Sequence, residues 1–244
     1  MAQFSARHAT YPPVAELVAF IAVQGGLVAT DGTDETYESL KLLVREQKGK
    51  DLLSLEPILD ELQARFVEEI APPGLGEIVF LTLRRVLDRY KSLVLSARVI
   101  AWTRDEFLEK ELIPKFVVPH VGWLLGQLDR EPIQFFDLDA VLRADAPLNH
   151  AFERCFQITA DPPKTLASLY EGKARSYRGQ APDHDVEDKR KVVRRWKAGI
   201  HTPSLETCFQ LLDGLGLAEY SGVTLWVWIA RLLQKVPQQY RHLI

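Results

Sequence analysis

Cysteine is scarce in this chain. Its 244 residues include two cysteines, Cys155 and Cys208, which excludes a disulfide framework because such a framework needs several closely spaced pairs. Both cysteines have apolar neighbours, which favours buried thiols over nucleophiles or metal ligands. The expected compartment is therefore a reducing cytoplasm.

Long apolar runs are also missing. The longest, residues 14–23 and 223–230, fall short of the roughly 20 residues that a membrane-spanning helix needs. Glu16 interrupts the first run, and Pro12 and Pro13 fit a signal peptide poorly. We therefore expect no membrane partner.

Motifs that carry chemistry are absent as well. The chain has no phosphate-binding loop, no dinucleotide-binding glycine motif and no HExxH metal motif. His150 and Glu153 share a predicted helix face, but one such pair is more typical of a surface contact than of a metal site. The carboxylates of Asp31, Asp34 and Glu35 gather in a turn, where they are expected to cap the next helix rather than bind calcium. The sequence predicts no cofactor, no metal site and no catalytic residue, and favours a protein that is not an enzyme.

Strand-like alternation does not persist anywhere, whereas apolar residues recur every three or four positions. This period predicts an all-α fold with a multi-helical N-terminal domain and a smaller helical region after it. The basic part of the chain follows Pro162 and Pro163, so the expected domains are residues 1–160 and 161–244. The predicted helices cover residues 14–28, 35–46, 55–70, 76–102, 104–127, 138–143, 148–157, 163–177, 186–198, 203–215 and 223–236.

Positive charge is concentrated in one short window. Six of the 30 lysines and arginines lie in residues 189–197, which contain no acid, whereas the whole chain has 33 aspartates and glutamates. A local cationic patch on an otherwise acidic chain is the pattern expected where a segment contacts phosphate. The six residues are Lys189, Arg190, Lys191, Arg194, Arg195 and Lys197.

The same window is predicted to be an amphipathic helix. Val192, Val193 and Trp196 fall on one face of a helix over residues 186–198, with basic side chains on the opposite face and at the flanks. This helix can therefore be buried along its apolar face and contact phosphate with its basic face. Gly199 is suited to end it in a left-handed conformation.

A second short helix is predicted directly afterwards. Thr202 is expected to cap it and Pro203 to occupy its first position. Leu205, Cys208 or Phe209, and later leucines are expected to form its buried stripe. The sequence therefore predicts two short helices joined by a tight turn.

This helix pair resembles part of a known family. Residues 195–207, RWKAGIHTPSLET, are similar to the end of the recognition helix, the loop and the fourth helix of Cro/repressor-type (XRE-like) helix-turn-helix domains. The resemblance covers the region from Val186 to Gly216. The best match to the family's preceding helix, residues 165–169, lies further upstream than in the family. Either an insertion over about residues 173–185 loops out, or the first half of the motif is absent.

The resemblance implies a helix placed against a DNA duplex, with base contacts from its exposed side and backbone contacts from its flanks. It implies structural anchor roles for Trp196, Gly199 and Pro203. The expected phosphate or guanine contacts are Arg190, Lys191, Arg194 and Lys197, within the set of six basic residues.

Two functions follow from these observations, and two alternatives stay open beside them: an enzyme whose site is built from residues distant in sequence, and a basic helix that is only a solvated surface. The first is a cytoplasmic, bacterial, DNA-binding transcription regulator whose N-terminal domain senses, dimerises or binds a partner. The alternative is a helical interaction or scaffold protein whose helix pair binds protein rather than DNA. Trp226 and Trp228 lie in a segment that is apolar almost all round, which predicts either core or a homodimer surface.

Overall fold

The computed structural model describes residues 14–45, 55–71, 73–96, 106, 108–128, 137–159, 191–241 and 244. Every regular element in these ranges is helical, so the predicted all-α fold is confirmed. The chain divides into two compact units, Met1–Glu131 with Leu243–Ile244, and Pro132–His242. Within the described ranges, none of the helices has the length and apolar character to span a bilayer.

The first unit contains five α-helices and a π-helical segment in its described part. The π-helical segment, Leu108–Val117, runs directly into the fifth α-helix. The helices are α1 (Val14–Gly25), α2 (Glu35–Arg45), α3 (Glu56–Glu69), α4 (Pro73–Ser96) and α5 (Val118–Leu128).

Aromatic side chains join these helices in the core of the first unit. Helix α3 packs against α4, where the rings of Phe66 and Phe80 lie 5.7 Å apart. Helix α4 also packs against α5, and the ring of Tyr90 on α4 meets edge-on that of Phe116, on the π-helical segment, at 6.0 Å. Phe66 and Tyr90 are both fully buried.

The π-helical segment differs from the continuous α-helix expected over residues 104–127. Pro114 lies inside it. Proline has no backbone N–H to donate and its ring clashes with the carbonyl one turn earlier, so a regular α-helix cannot pass through this position unchanged. A local change of helical winding accommodates the proline, and the chain returns to an α-helix at Val118.

The second unit contains the predicted helix pair. Its described helices are α6 (Leu138–Arg143), α7 (Pro147–Ile158), α8 (residues 191–197), α9 (Leu205–Gly214), α10 (Ser221–Lys235) and α11 (Gln238–Arg241). The helix predicted over residues 163–177 and the beginning of the one predicted over 186–198 lie outside the described residues.

Helix α10 is the centre of the second unit. It packs against α7 and α9, and residues 223–230 are all buried. Trp226 is 1% exposed and Trp228 is 7% exposed, so both indoles lie in the core of this unit. Helix α7 was expected in the N-terminal domain that ends at residue 160, but it packs against α10, and the compact units divide after Glu131.

Candidate nucleic-acid interface

Helix α8 has one buried side and a basic exposed side. Val193 is 2% exposed and Trp196 is 5% exposed, so the predicted anchor tryptophan is in the core. The basic side chains on the described part of this helix are all exposed: Lys191, Arg194, Arg195 and Lys197. We call these four the basic face. Lys189 and Arg190, the other two predicted contacts, lie outside the described residues.

The turn after α8 has the geometry that the sequence predicted. Gly199 adopts φ +67°, a left-handed conformation that glycine accepts without strain. The Gly199 N–H donates to the Trp196 carbonyl at 3.0 Å, and the Ile200 N–H donates to the Arg195 carbonyl at 3.0 Å. This pair of hydrogen bonds is a Schellman motif, so the helix end is closed by the backbone itself.

The beginning of α9 differs from the prediction. Ser204, rather than Thr202, is the N-cap, and its Oγ accepts a hydrogen bond from the Thr207 N–H at 3.1 Å. Pro203 therefore precedes the cap instead of occupying the first helical position. Serine and threonine cap helices for the same reason, so the side chains of Thr202 and Ser204 are both able to cap α9.

Pro203 is nevertheless held in place by burial and by a hydrogen bond. It is buried, and its carbonyl accepts a hydrogen bond from Arg231 Nε at 2.9 Å. Gly199 also lies close to another segment, because a Cβ at this position would be 3.5 Å from the Asp145 carbonyl oxygen. The loop that joins α8 and α9 thus packs against both the α6–α7 turn and α10.

The surface electrostatics of α8 and α9 differ in sign. Residues 191–203 contain no acid, whereas the exposed side of α9 carries Glu206 and Asp213. Because phosphate is attracted to cations and repelled by carboxylates, the basic face is the part of this pair suited to a polyanion.

Sequence reasoning missed the polar side chains through which the last two helices bind the loops. Gln234 Oε1 accepts from the Leu148 N–H at 3.2 Å, and Gln234 Nε2 donates to the His201 carbonyl at 3.3 Å. Gln238 Nε2 donates to Asp145 Oδ1 at 2.9 Å, and Arg241 donates to the Ala144 carbonyl at 2.6 Å. These partners are far apart in the chain, so periodicity gives no sign of them.

A buried cation lies between α9 and α10. Arg231 is 5% exposed, and burial lowers the pKa of its guanidinium. Burial and the neighbouring Arg231 together lower the pKa of Lys235 to about 8. Burial raises the pKa of the facing Cys208 thiol to about 12, and it does the same for Cys155, so both thiols stay protonated at neutral pH.

The remaining polar clusters have structural roles. Glu153 accepts a hydrogen bond from Asn149 at 2.8 Å, whereas the surface contact expected from the sequence was with His150. Asp34 caps α2 by accepting from the Thr36 N–H at 3.0 Å, as predicted, and also pairs with Arg65 at 2.8 Å. Among the described residues no group of three or more metal-ligating side chains comes together.

Arg65 makes this cap part of a larger network in the first unit. Its guanidinium binds Asp34, Glu61 at 3.0 Å and the Thr36 hydroxyl at 2.8 Å. Partial burial acts to raise the pKa of Asp34, but hydrogen bonds from the Ala29 N–H and Arg65 outweigh it and lower the pKa. The carboxylate is therefore held ionised, and the network fastens the turn before α2 to α3.

Comparison of the chain with protein-family models, with curated proteins and with solved structures found no match.

Proposed function

We propose that this chain binds double-stranded DNA through the basic face of α8, as the DNA-contacting part of a transcription regulator. The observation that carries the proposal is the division of this helix. Val193 and Trp196 anchor it in the core, while its four basic side chains remain exposed and no acid lies among residues 191–203.

The physical basis is release of counterions from the duplex. Each phosphate that a lysine or arginine neutralises releases condensed cations, so binding weakens as salt is added. Arginine also presents two parallel donors that match the O6 and N7 acceptors of guanine. Arg194 and Arg195 are therefore the candidates for base contacts, whereas Lys191 and Lys197 are suited to the backbone.

The resemblance to XRE-like helix-turn-helix domains supports the same proposal. By this resemblance, the loop after α8 is the tight turn between the recognition helix and the helix that follows it. Gly199 has the left-handed backbone that such a turn needs. On this proposal the protein is a cytoplasmic bacterial regulator, it acts as a homodimer on paired half-sites, and the first unit senses or binds a partner.

The second candidate function is protein binding through the same helix pair. It is favoured by Ile200, which is 76% exposed directly after the turn. Arginine is enriched in protein interfaces, and the basic face provides Arg194 and Arg195. A protein partner would be held with less dependence on salt than a duplex, because fewer counterions are released.

The test is fluorescence-anisotropy titration of a mixed-sequence DNA duplex at about 50 mM and about 200 mM salt. The wild type is compared with the variant Lys191→Glu, Arg194→Glu, Lys197→Glu. A matched control reverses three exposed basic residues of the first unit, Arg89, Lys110 and Lys115, so that both variants carry the same net charge. Circular dichroism verifies that all three proteins are folded.

We expect salt-sensitive binding by the wild type and the control, and a loss of binding by at least about tenfold in the α8 variant. Equal losses in both variants would mean that net charge alone drives binding and would reject α8 as the interface. Absence of binding by the wild type even at the lower salt would reject the DNA proposal and leave protein binding as the function to test.

A further inference from the structure

Polar side chains of α10 and α11 connect two loops that are distant in the sequence. Arg231, Gln234, Gln238 and Arg241 each hydrogen-bond to the loop of residues 199–203 or to the turn of residues 144–148. We call these four residues the polar seam. Its partners are mainly backbone atoms, so the seam fixes the course of the chain rather than particular side chains.

One side of the polar seam holds the loop that begins where α8 ends. Arg231 Nε donates to the Pro203 carbonyl at 2.9 Å, and Gln234 Nε2 donates to the His201 carbonyl at 3.3 Å. Two of the five residues in the loop are thus bound to α10. The Schellman turn at Gly199 then transmits this position to α8, because the turn is itself closed by hydrogen bonds.

The other side of the polar seam holds the beginning of α7. The N-cap of this helix is Ala146, whose side chain cannot accept a hydrogen bond. Gln234 Oε1 supplies the missing acceptor by binding the Leu148 N–H at 3.2 Å. A single amide group therefore links the first turn of α7 to the loop after α8.

We infer that Gln234 is a positioning residue for DNA binding by the basic face, an inference that rests on the proposed function. Contacts to several phosphates at once require the four cations to stand in one fixed arrangement relative to the unit. Val193 and Trp196 bury α8 but apolar contacts are not directional, whereas the Gln234 hydrogen bonds are. Gln234 thus sets the orientation that the basic face presents.

The test uses Gln234→Ala and Gln234→Met in the full-length chain. Both variants lose the two hydrogen bonds, while methionine keeps most of the side-chain volume and so guards against a packing defect. Gln210→Met is the control, because the Gln210 amide donates a hydrogen bond at 3.1 Å to Glu206 on its own helix. None of the three substitutions changes the net charge.

The measurements are the affinity for the mixed-sequence duplex and its dependence on salt, made well below the melting temperature of each variant. Under that condition nearly all molecules of a destabilised variant are still folded, so a loss of stability does not by itself weaken binding. The slope of log affinity against log salt counts phosphate contacts, so at unchanged charge it reports how many cations reach the duplex together.

We expect both Gln234 variants to bind about tenfold more weakly, with a slope smaller by about one, and Gln210→Met to match the wild type. Unchanged affinity and slope in folded Gln234 variants would overturn the inference while leaving the proposed function intact. Weaker binding at an unchanged slope would also overturn it, because the phosphate contacts would then be complete. A wild type that does not bind the duplex would overturn both the proposed function and the inference about Gln234.

Discussion

The second unit contains two helix ends that are built alike and exposed differently. The turn after α8 contains Gly199 with φ +67°, and the turn after α9 contains Gly216 with φ +69°. At the second end the Gly216 N–H donates to the Asp213 carbonyl at 3.0 Å and the Leu217 N–H to the Leu212 carbonyl at 2.9 Å. The backbone motif is therefore the same at both ends.

The side chains around the two turns differ. Leu217, directly after the second glycine, is 8% exposed, whereas Ile200, in the same position after the first, is 76% exposed. The exposed side of α8 is basic, and that of α9 carries Glu206, Gln210 and Asp213. Capping residues thus determine how a helix ends, but only the exposed side chains distinguish a turn that completes the core from one that is available to a partner.

The largest expected difference is in stability. Leu217→Ala is expected to lower the free energy of unfolding by about 2–3 kcal/mol, because it removes buried apolar contacts and leaves a cavity. Ile200→Ala is expected to change it by less than about 0.5 kcal/mol, since the side chain is mostly in water. Urea denaturation of both variants measures the two values. Equal losses would show that the turns do not differ in packing.

The second test uses what the two turns share. Gly199→Ala and Gly216→Ala each force a side chain into a left-handed conformation, at a cost of about 1 kcal/mol in unfolding free energy. The same denaturation experiment is expected to give similar losses for both. Duplex binding well below the melting temperature is expected to weaken only for Gly199→Ala, because only that turn positions the basic face. Weaker binding by Gly216→Ala would contradict this difference.

The third test compares the exposed sides of the two helices. Lys197→Gln is expected to weaken duplex binding a few-fold and to reduce the salt slope by about one, the loss of one phosphate contact. Glu206→Gln also changes the charge by one but lies on α9, so its slope is expected to equal that of the wild type. Anisotropy titrations over a salt series provide both slopes. Identical slopes for Lys197→Gln and wild type would exclude Lys197 from the interface.

The smallest effect concerns the contact between α9 and α10. Burial and Arg231 lower the pKa of Lys235 from 10.5 to about 8, so between these values the unfolded chain binds more protons than the folded chain. The penalty for charging Lys235 is therefore complete below about pH 8 and is relieved as the pH rises towards 10.5. Because Lys235 is partly in water, we expect a gain in unfolding free energy of less than about 1 kcal/mol.

Lys235→Gln isolates this contribution. The rise in unfolding free energy between about pH 7 and about pH 10 is expected to be smaller in this variant than in the wild type. Lys110→Gln, an exposed lysine of the first unit, is the control and is expected to behave like the wild type. A wild type and Lys235→Gln with the same pH dependence would mean that Lys235 titrates normally in the folded protein.

Local structure could be predicted from the sequence wherever the physical cause is local. Helix α6 has the predicted bounds, 138–143, and the burial of Val193 and Trp196 follows from their spacing. Gly199 ends α8 as predicted because few residues besides glycine adopt its conformation readily. The cap of α9 was placed two residues too early, since Thr202 and Ser204 offer the same hydrogen-bonding group to the backbone.

The interactions that could not be predicted join parts of the chain that are remote in sequence. The Gln234 hydrogen bond to Leu148 spans 86 residues, and the Arg241 bond to Ala144 spans 97. Periodicity within a helix shows which face is buried but not which helix covers it. The packing of α7 against α10, and with it the division of the chain after Glu131, therefore became visible only in the structure.

The central position of α10 has a consequence for biosynthesis. The ribosome makes proteins from the N-terminus at about 5–20 residues per second, so α7 is translated well before residues 223–230. Until that segment emerges, the buried face of α7 lacks the surface on which it packs. The nascent second unit must therefore wait for its last long helix, and for that interval the apolar face of α7, which includes Phe152, is open to binding by a chaperone.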